Sequence, residues 1–358
     1  MGNTVLNTPL SFGCGKVMKN RFMLAPLTNR QSHEDGTLSE DEFHWLTMRA
    51  KGQFGLVMTC ASNVQQNGQC WPGQLGIYDD KHIAGHRRLA EKIQEYGSLA
   101  VIQLHHGGMR SIEELMGEQP VCPSANEETN ARAMSLEEVE QLREDFITAA
   151  IRAQEAGYDG VELHGAHGYI LCQFLSSEIN HREDQYGGSL ENRSRLLFEI
   201  VEGVRAACGK EFMLGVRLSP ERFGMKLSEV KIVAQQLIDS GKVDFLDISL
   251  WDVFKNSDET GEPLMETFTN LDRKGVPITV AGKIHSAEDV KKVLAAGIDF
   301  VSIGKSAILH HDFPEKVIED DHFQTIETPV SRAYLRQEGL GETFIHYMAE
   351  RWEGFVEG

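Results

Sequence analysis

The chain has 358 residues, 41% of them hydrophobic and 25% charged, enough apolar material for a large buried core and too ordinary for a disordered or collagen-like protein. Its 35 basic and 54 acidic residues leave a net charge of −19, which repels phosphate backbones and anionic headgroups, so no nucleic acid or membrane partner is expected and a small-molecule substrate is. No apolar stretch approaches the roughly eighteen residues that would span a bilayer, and no secretory pattern opens the chain, so a cytoplasmic location is expected.

Eight short apolar runs recur along the chain, at 21–25, 54–59, 99–104, 160–163, 212–216, 243–250, 277–281 and 299–304. Most are nearly continuous in Val, Ile, Leu and Phe rather than alternating with polar residues, as expected of parallel strands covered on both faces. Helical patterns lie between them. Ser39 with Glu42, Ser135 with Glu138, and Ser286 with Asp289 each place a hydroxyl cap three residues before an acid. The stretches 137–156, 189–208 and 287–296 carry apolar residues at helical spacing and end near Gly157, Gly209 and Gly297, which serve as C-terminal stops. Eight βα units in one unbroken series predict an α/β fold, a single-domain (β/α)8 TIM barrel, with a doubly wound sheet as the alternative.

A bare barrel needs only ~250 residues. The surplus falls in the segments 107–134 and 165–188 and in the tail after residue 319. The expected division is a barrel over 1–319 and a helical extension over 320–358 that covers the barrel or a partner subunit. In that tail Tyr334, Arg336, Phe344, Tyr347 and Trp352 read as one amphipathic helix. The six cysteines (Cys14, Cys60, Cys70, Cys122, Cys172, Cys208) contain no C-x-x-C pair, which argues against a zinc knuckle, an iron–sulfur cluster or a disulfide framework. No G-x-G-x-x-G follows a strand, and Gly13-Cys14-Gly15 precedes the first one and reads as a turn.

The fourth strand ends in Val161-Glu162-Leu163-His164-Gly165-Ala166-His167-Gly168-Tyr169, on the rim where barrel enzymes keep their chemistry. Two imidazoles spaced three apart can present two N–H donors to one carbonyl or nitro oxygen, and a neighbouring phenol can give a proton. Two other readings stand beside this one. The histidines satisfy backbone groups, or they bind a metal whose sphere His105, His106 or Glu162 completes.

The residues that follow carry a resemblance. His164-Gly165-Ala166-His167-Gly168-Tyr169, Gln173-Phe174-Leu175-Ser176, Asn180, Arg182, Asp184, Tyr186-Gly187-Gly188-Ser189 and Glu191-Asn192-Arg193 with Arg195 closely resemble the signature of the old yellow enzyme family of FMN-dependent NAD(P)H oxidoreductases. The similarity runs from Asn20-Arg21-Phe22-Met23-Leu24-Ala25-Pro26-Leu27-Thr28 to Phe300-Val301-Ser302-Ile303-Gly304-Lys305.

The resemblance implies FMN across the barrel mouth and NADH or NADPH as hydride donor. It makes Ala25, Pro26, Leu27 and Thr28 the lining of the flavin ring, Ala61 a small residue close to it, and Gln103 the partner of its pyrimidine edge. Arg217 faces the negative charge of the reduced ring, and Gly282, Gly304 and Lys305 receive the phosphate. His164 and His167 then hold the oxygen of an electron-poor alkene while Tyr169 protonates it, and no metal is required. The segment 180–195 reads mainly as scaffolding, its opposite charges interlocking and Ser189 capping the next helix.

The sequence also departs from the family. Lys305 stands where most members carry arginine, Arg30 where several bacterial members carry a tyrosine, and Ser249-Leu250-Trp251-Asp252 replaces a Ser-Ser-Gly type loop. Trp71 and Trp251 are candidate pocket walls, and Arg336 is given no role although some relatives insert a tail arginine into a partner's site, so a homo-oligomer is left open. Competing functions are a flavin-binding regulatory or sensing protein, an RNA-modifying flavin barrel, which the charge disfavours, and a metal-dependent barrel hydrolase, for which strand one lacks an H-x-H.

Overall fold

A computed structural model describes residues 3–358. Eight strands close into one barrel: β1 (Phe22–Leu24), β2 (Leu56–Asn63), β3 (Leu99–His105), β4 (Gly160–Gly165), β5 (Met213–Leu218), β6 (Phe245–Ser249), β7 (Ile278–Ala281) and β8 (Phe300–Ile303). All neighbouring pairs are parallel, and β8 returns to β1 through Val301–Phe22, Ser302–Met23 and Ile303–Leu24. The TIM barrel expected from the run spacing is the fold, because each strand buries both faces, outward against helices and inward against its opposite neighbours.

Strand two departs from expectation. It starts two residues later than the 54–59 run and continues to Asn63. Its pairing with β3 shifts between Met58 and Ala61 and then resumes as Ala61–Gln103, Ser62–Leu104 and Asn63–His105. The bulge carries the strand into polar residues that hydropathy does not mark, so Ala61 lies inside β2 rather than after it.

The covering helices include α1 (Glu40–Lys51), α2 (Ile83–Glu95), α3 (Leu136–Glu155), α4 (Leu190–Cys208), α5 (Leu227–Asp239), α6 (Leu264–Thr269) and α7 (Ala287–Ala295). Ser39, Ser135, Ser189 and Ser286 accept N–H groups from the first turns they cap. Of these four, Ser135 alone forms the reciprocal capping box, with Glu138. Glu42 instead turns inward and accepts from Asn29 and Ser32, tying α1 to the segment that leaves β1. None of the described helices is long and apolar enough to cross a membrane.

An antiparallel pair, Leu10–Ser11 with Val17–Met18, folds under the N-terminal end of the barrel. Its turn drives Phe12 edge-on into Phe245 at 6.1 Å and Phe300 at 5.8 Å. The tail is two short helices, Arg332–Gln337 and Glu342–Arg351, rather than the single amphipathic helix of the sequence reading. Gly339 breaks them at φ 82°, where a side chain would collide with Met48 of α1. The second tail helix packs Phe344 against Trp45 at 5.1 Å and sets Tyr347 under the Arg30 guanidinium at 4.4 Å. Arg49 of α1 is fully buried and donates twice to the Ala307 carbonyl after β8.

The long segments after β3 and β4 are held by the charged block the sequence singled out. Arg182 donates to the Pro123 and Met134 carbonyls and pairs with Asp184, while Arg193 donates to the Leu175 carbonyl and pairs with Glu229 at 2.7 Å. Asn180 binds the carbonyls of Phe174 and Tyr186. All six cysteines are buried and free.

Candidate active site

The C-terminal ends of the strands place polar residues side by side in an otherwise apolar wall. Register pairs Gln103 with Glu162, His164 with Arg217, Arg217 with Asp247, and Asp247 with Thr279. Gln103 donates to Glu162 Oε1 at 2.7 Å, and Arg217 Nε lies 3.0 Å from Asp247 Oδ2, an ion contact outside hydrogen-bond alignment. Burial, with Asp247 close by, raises the Glu162 carboxyl from 4.5 to about 8 despite Arg217 and Gln103. Burial also raises Asp247, with Arg217 opposing.

Glu162 Oε2, His164 Nδ1, both Asp247 oxygens, Thr279 Oγ1 and Ser302 Oγ are buried with no hydrogen-bond partner. An unmet buried polar atom costs about 1–3 kcal/mol, so a group of them at one end of a barrel points to a bound group or ordered water that meets them.

The turn after β4 is made by two consecutive left-handed residues, His167 at φ 59° and Gly168 at φ 70°. This bend brings Tyr169 back over the mouth, with ring centroids 5.1 Å from His164 and 4.3 Å from His105. His167 stands 5.1 Å from His164, its Nε2 bonded to Ser249 Oγ at 2.7 Å and its backbone N–H donating to Ser219. Arg110 donates to the His167 carbonyl and lies 4.6 Å above the Tyr169 ring.

Burial holds His164 and His167 well below the ordinary imidazole value, and the cations Arg217 and Arg110 add to it, so both rings are neutral at physiological pH. Burial pushes Tyr169 up to about 12, which keeps its proton on.

His105 escaped the sequence reading except as a metal candidate. Gln74 Oε1 accepts from the Cys70 N–H, so its amide nitrogen must donate, and it does so to the Ala61 carbonyl and to His105 Nδ1 at 3.1 Å. The His105 proton therefore sits on Nε2, which is buried and unpartnered. His106 is satisfied at both nitrogens, by the Gly108 N–H and by Asn67, and serves the loop. Among the described residues, the group of His, Cys, Asp or Glu whose ligand atoms lie within 4.8 Å of one another is His311, Asp312 and Glu338, far from His105, His106 and Glu162 in the chain.

Ala25 and Ala61 are buried beside the mouth, with Pro26, Leu27 and Thr28 partly open. Gly282 has φ 145° and lies so close to the Trp251 backbone that a side chain has no room there. The structure turns Lys305 toward the tail, its ammonium 4.8 Å from the Trp352 ring. Trp71 is buried near His105, whereas Trp251 is 60% exposed with Arg222 at 4.7 Å over it. Arg336 pairs with Glu342 on the surface of the tail. Sequence reasoning missed Arg110, Asp247 and Ser249 as members of this constellation. Asp247 carried a signal, an acid in the middle of an apolar run, while Arg110 looks like any arginine of a polar loop.

Residues 5–322 match the NADH:flavin oxidoreductase / NADH oxidase family. The chain belongs to that family. It is 36% identical to the probable NADH-dependent flavin oxidoreductase YqiG of Bacillus subtilis (strain 168), over 97% of this chain and 95% of that one. It is 34% identical to an NADPH dehydrogenase of Bacillus pumilus (strain SAFR-032), over 86% and 92% of the two chains. Among solved structures, the old yellow enzyme homologue from Zymomonas mobilis superposes with a TM-score of 0.80 at 28% identity, covering 94% of this chain and 96% of that one. The protein is thus a nicotinamide-dependent flavin oxidoreductase of the old yellow enzyme type, and its flavin is FMN.

The mouth of this old yellow enzyme relative fits such a group. Its unmet donors and acceptors lie on β4 to β8 around one opening, and Arg217 offers a cation to an electron-rich ring.

Proposed function

We propose that the enzyme takes hydride from NADH or NADPH and reduces an electron-poor alkene conjugated to a carbonyl. Ala25, Pro26, Leu27, Thr28 and Ala61 line the flavin ring, Gln103 meets its pyrimidine edge, Arg217 its negative side, and Gly282, Gly304 and Lys305 its phosphate. FMN, when bound, carries the electron pair from nicotinamide to acceptor.

His164 and His167 orient the acceptor by donating N–H groups to its oxygen, which draws electron density out of the double bond and exposes the β carbon. Ser249 holds the His167 ring in place at 2.7 Å. Tyr169 gives its proton to the α carbon, and the Arg110 guanidinium above its ring offsets the charge left on the oxygen.

One observation carries this reading: two neutral imidazoles share a wall with a phenol whose proton is firmly held. The test is rapid mixing of Tyr169→Phe in two stages. Flavin bleaching by NADH or NADPH is expected to stay within about threefold of wild type, while reoxidation by an enone slows by about 10²-fold or more. Equal losses in both stages would remove Tyr169 as the acid.

A further inference from the structure

We infer that the acceptor pocket is built for a carboxylate-bearing alkene, so that the preferred acceptors are α,β-unsaturated acids rather than neutral aldehydes or ketones. This rests on the alkene-reducing function proposed above and narrows it. The first observation is charge. In a chain with 54 acidic residues and 35 basic ones, Arg30 and Arg110 have no carboxylate partner and face aromatic rings instead, Tyr347 at 4.4 Å and Tyr169 at 4.6 Å. Arg30 also leaves its Nε buried and unmet. Arg110 lies near enough to His105, His164 and His167 to hold their protonation down.

The second observation is independent of charge. His105 Nε2–H is a buried donor without an acceptor, its tautomer dictated by Gln74, and its ring touches the same Tyr169 ring that Arg110 covers. A carboxylate differs from an aldehyde in having a second oxygen and a negative charge. His105 offers a donor to that oxygen, and Arg110 and Arg30 offer the opposite charge. A free carboxylate feeds electrons into its double bond and makes it a poor hydride acceptor, so cations beside it also restore reactivity.

The test uses the FMN-loaded enzyme and a matched pair of probes, cinnamate and cinnamaldehyde, read by perturbation of the oxidised flavin spectrum. Cinnamate is expected to bind about tenfold tighter than cinnamaldehyde at low salt. Arg110→Gln, Arg30→Gln and His105→Phe are each expected to pull the ratio toward one, and high salt to lower it in the wild type. A wild-type ratio near one, or a ratio that survives the substitutions, overturns the inference, and the wild-type reading needs no variant to fold. NADPH is the second source of anionic oxygen, so saturation of flavin bleaching by NADPH is followed in the same variants. If it weakens as much as cinnamate binding does, the arginines serve the dinucleotide phosphates and the inference falls. Tight cinnamate binding with no alkene turned over sinks the proposed reduction but keeps the pocket, whereas turnover of cinnamaldehyde with weak cinnamate binding sinks the pocket alone.

Discussion

The two ends of the same eight strands are different solvents. At the N-terminal end Phe12, Met18, Met23, Leu56, Met58, Val101, Met213, Phe245 and Phe300 form one buried apolar cluster. At the C-terminal end, two to four residues further along the strands, it is Gln103, Glu162, His164, Arg217, Asp247, Thr279 and Ser302, several with polar atoms left unmet. The first end is packed to completion and supplies stability; the second carries a standing cost that only a function explains. Conserving one end for rigidity lets the other hold buried charge without collapse.

That contrast can be broken by mutation. The largest effect is expected from Phe12→Ala, which empties the plug between Phe245 and Phe300 and should lower stability by about 3–5 kcal/mol in urea unfolding. Flavin spectra and phenol titrations of the folded fraction should match wild type; a shift in them would mean the two ends are not separable. Next comes Glu162→Gln. The folded Glu162 titrates at about 8, above its ordinary 4.5, so its contribution to stability is whole below that lower value and is lost as pH climbs between the two. Glutamine keeps an oxygen for Gln103 but cannot ionise. Measured against wild type, the variant should therefore gain stability as pH rises through that window, by at most about 1.4 kcal/mol per pH unit. A flat difference across pH would show that Glu162 is already ionised at neutrality. The smallest effect is Ser135→Ala at the upper rim, about 1 kcal/mol from loss of the capping box, with ligand binding unmoved. It would sharpen the comparison by showing that a polar residue at the working end can be purely structural.

The barrel was legible because its strands are short, apolar and regularly spaced, and because hydroxyl caps mark helix starts by a local mechanism. What escaped was decided by tertiary context. The polar end of β2 pairs only after a bulge, and the tail breaks at Gly339 because Met48 of another element leaves no room. The site was legible where a polar residue ends an apolar strand, as Gln103 and Arg217 do, and where histidines crowd a turn. His105 and Arg110 were not legible as a pair, since the ring that joins them, Tyr169, lies some sixty residues away along the chain. The reach of Lys305 toward Trp352 was not legible either, because it depends on where the tail comes to rest.

The join between β8 and β1 is the seam of the cylinder, three residue pairs brought together across almost the whole polypeptide. Joining ends so distant in sequence carries a loop-closure cost that the three pairs alone offset poorly. Arg49 reaching Ala307 from inside, and the final helix gripping Trp45, Arg30 and Lys305 from outside, lie across it like a clasp. The seam is thereby braced on both sides of the pairing by residues that belong to neither strand.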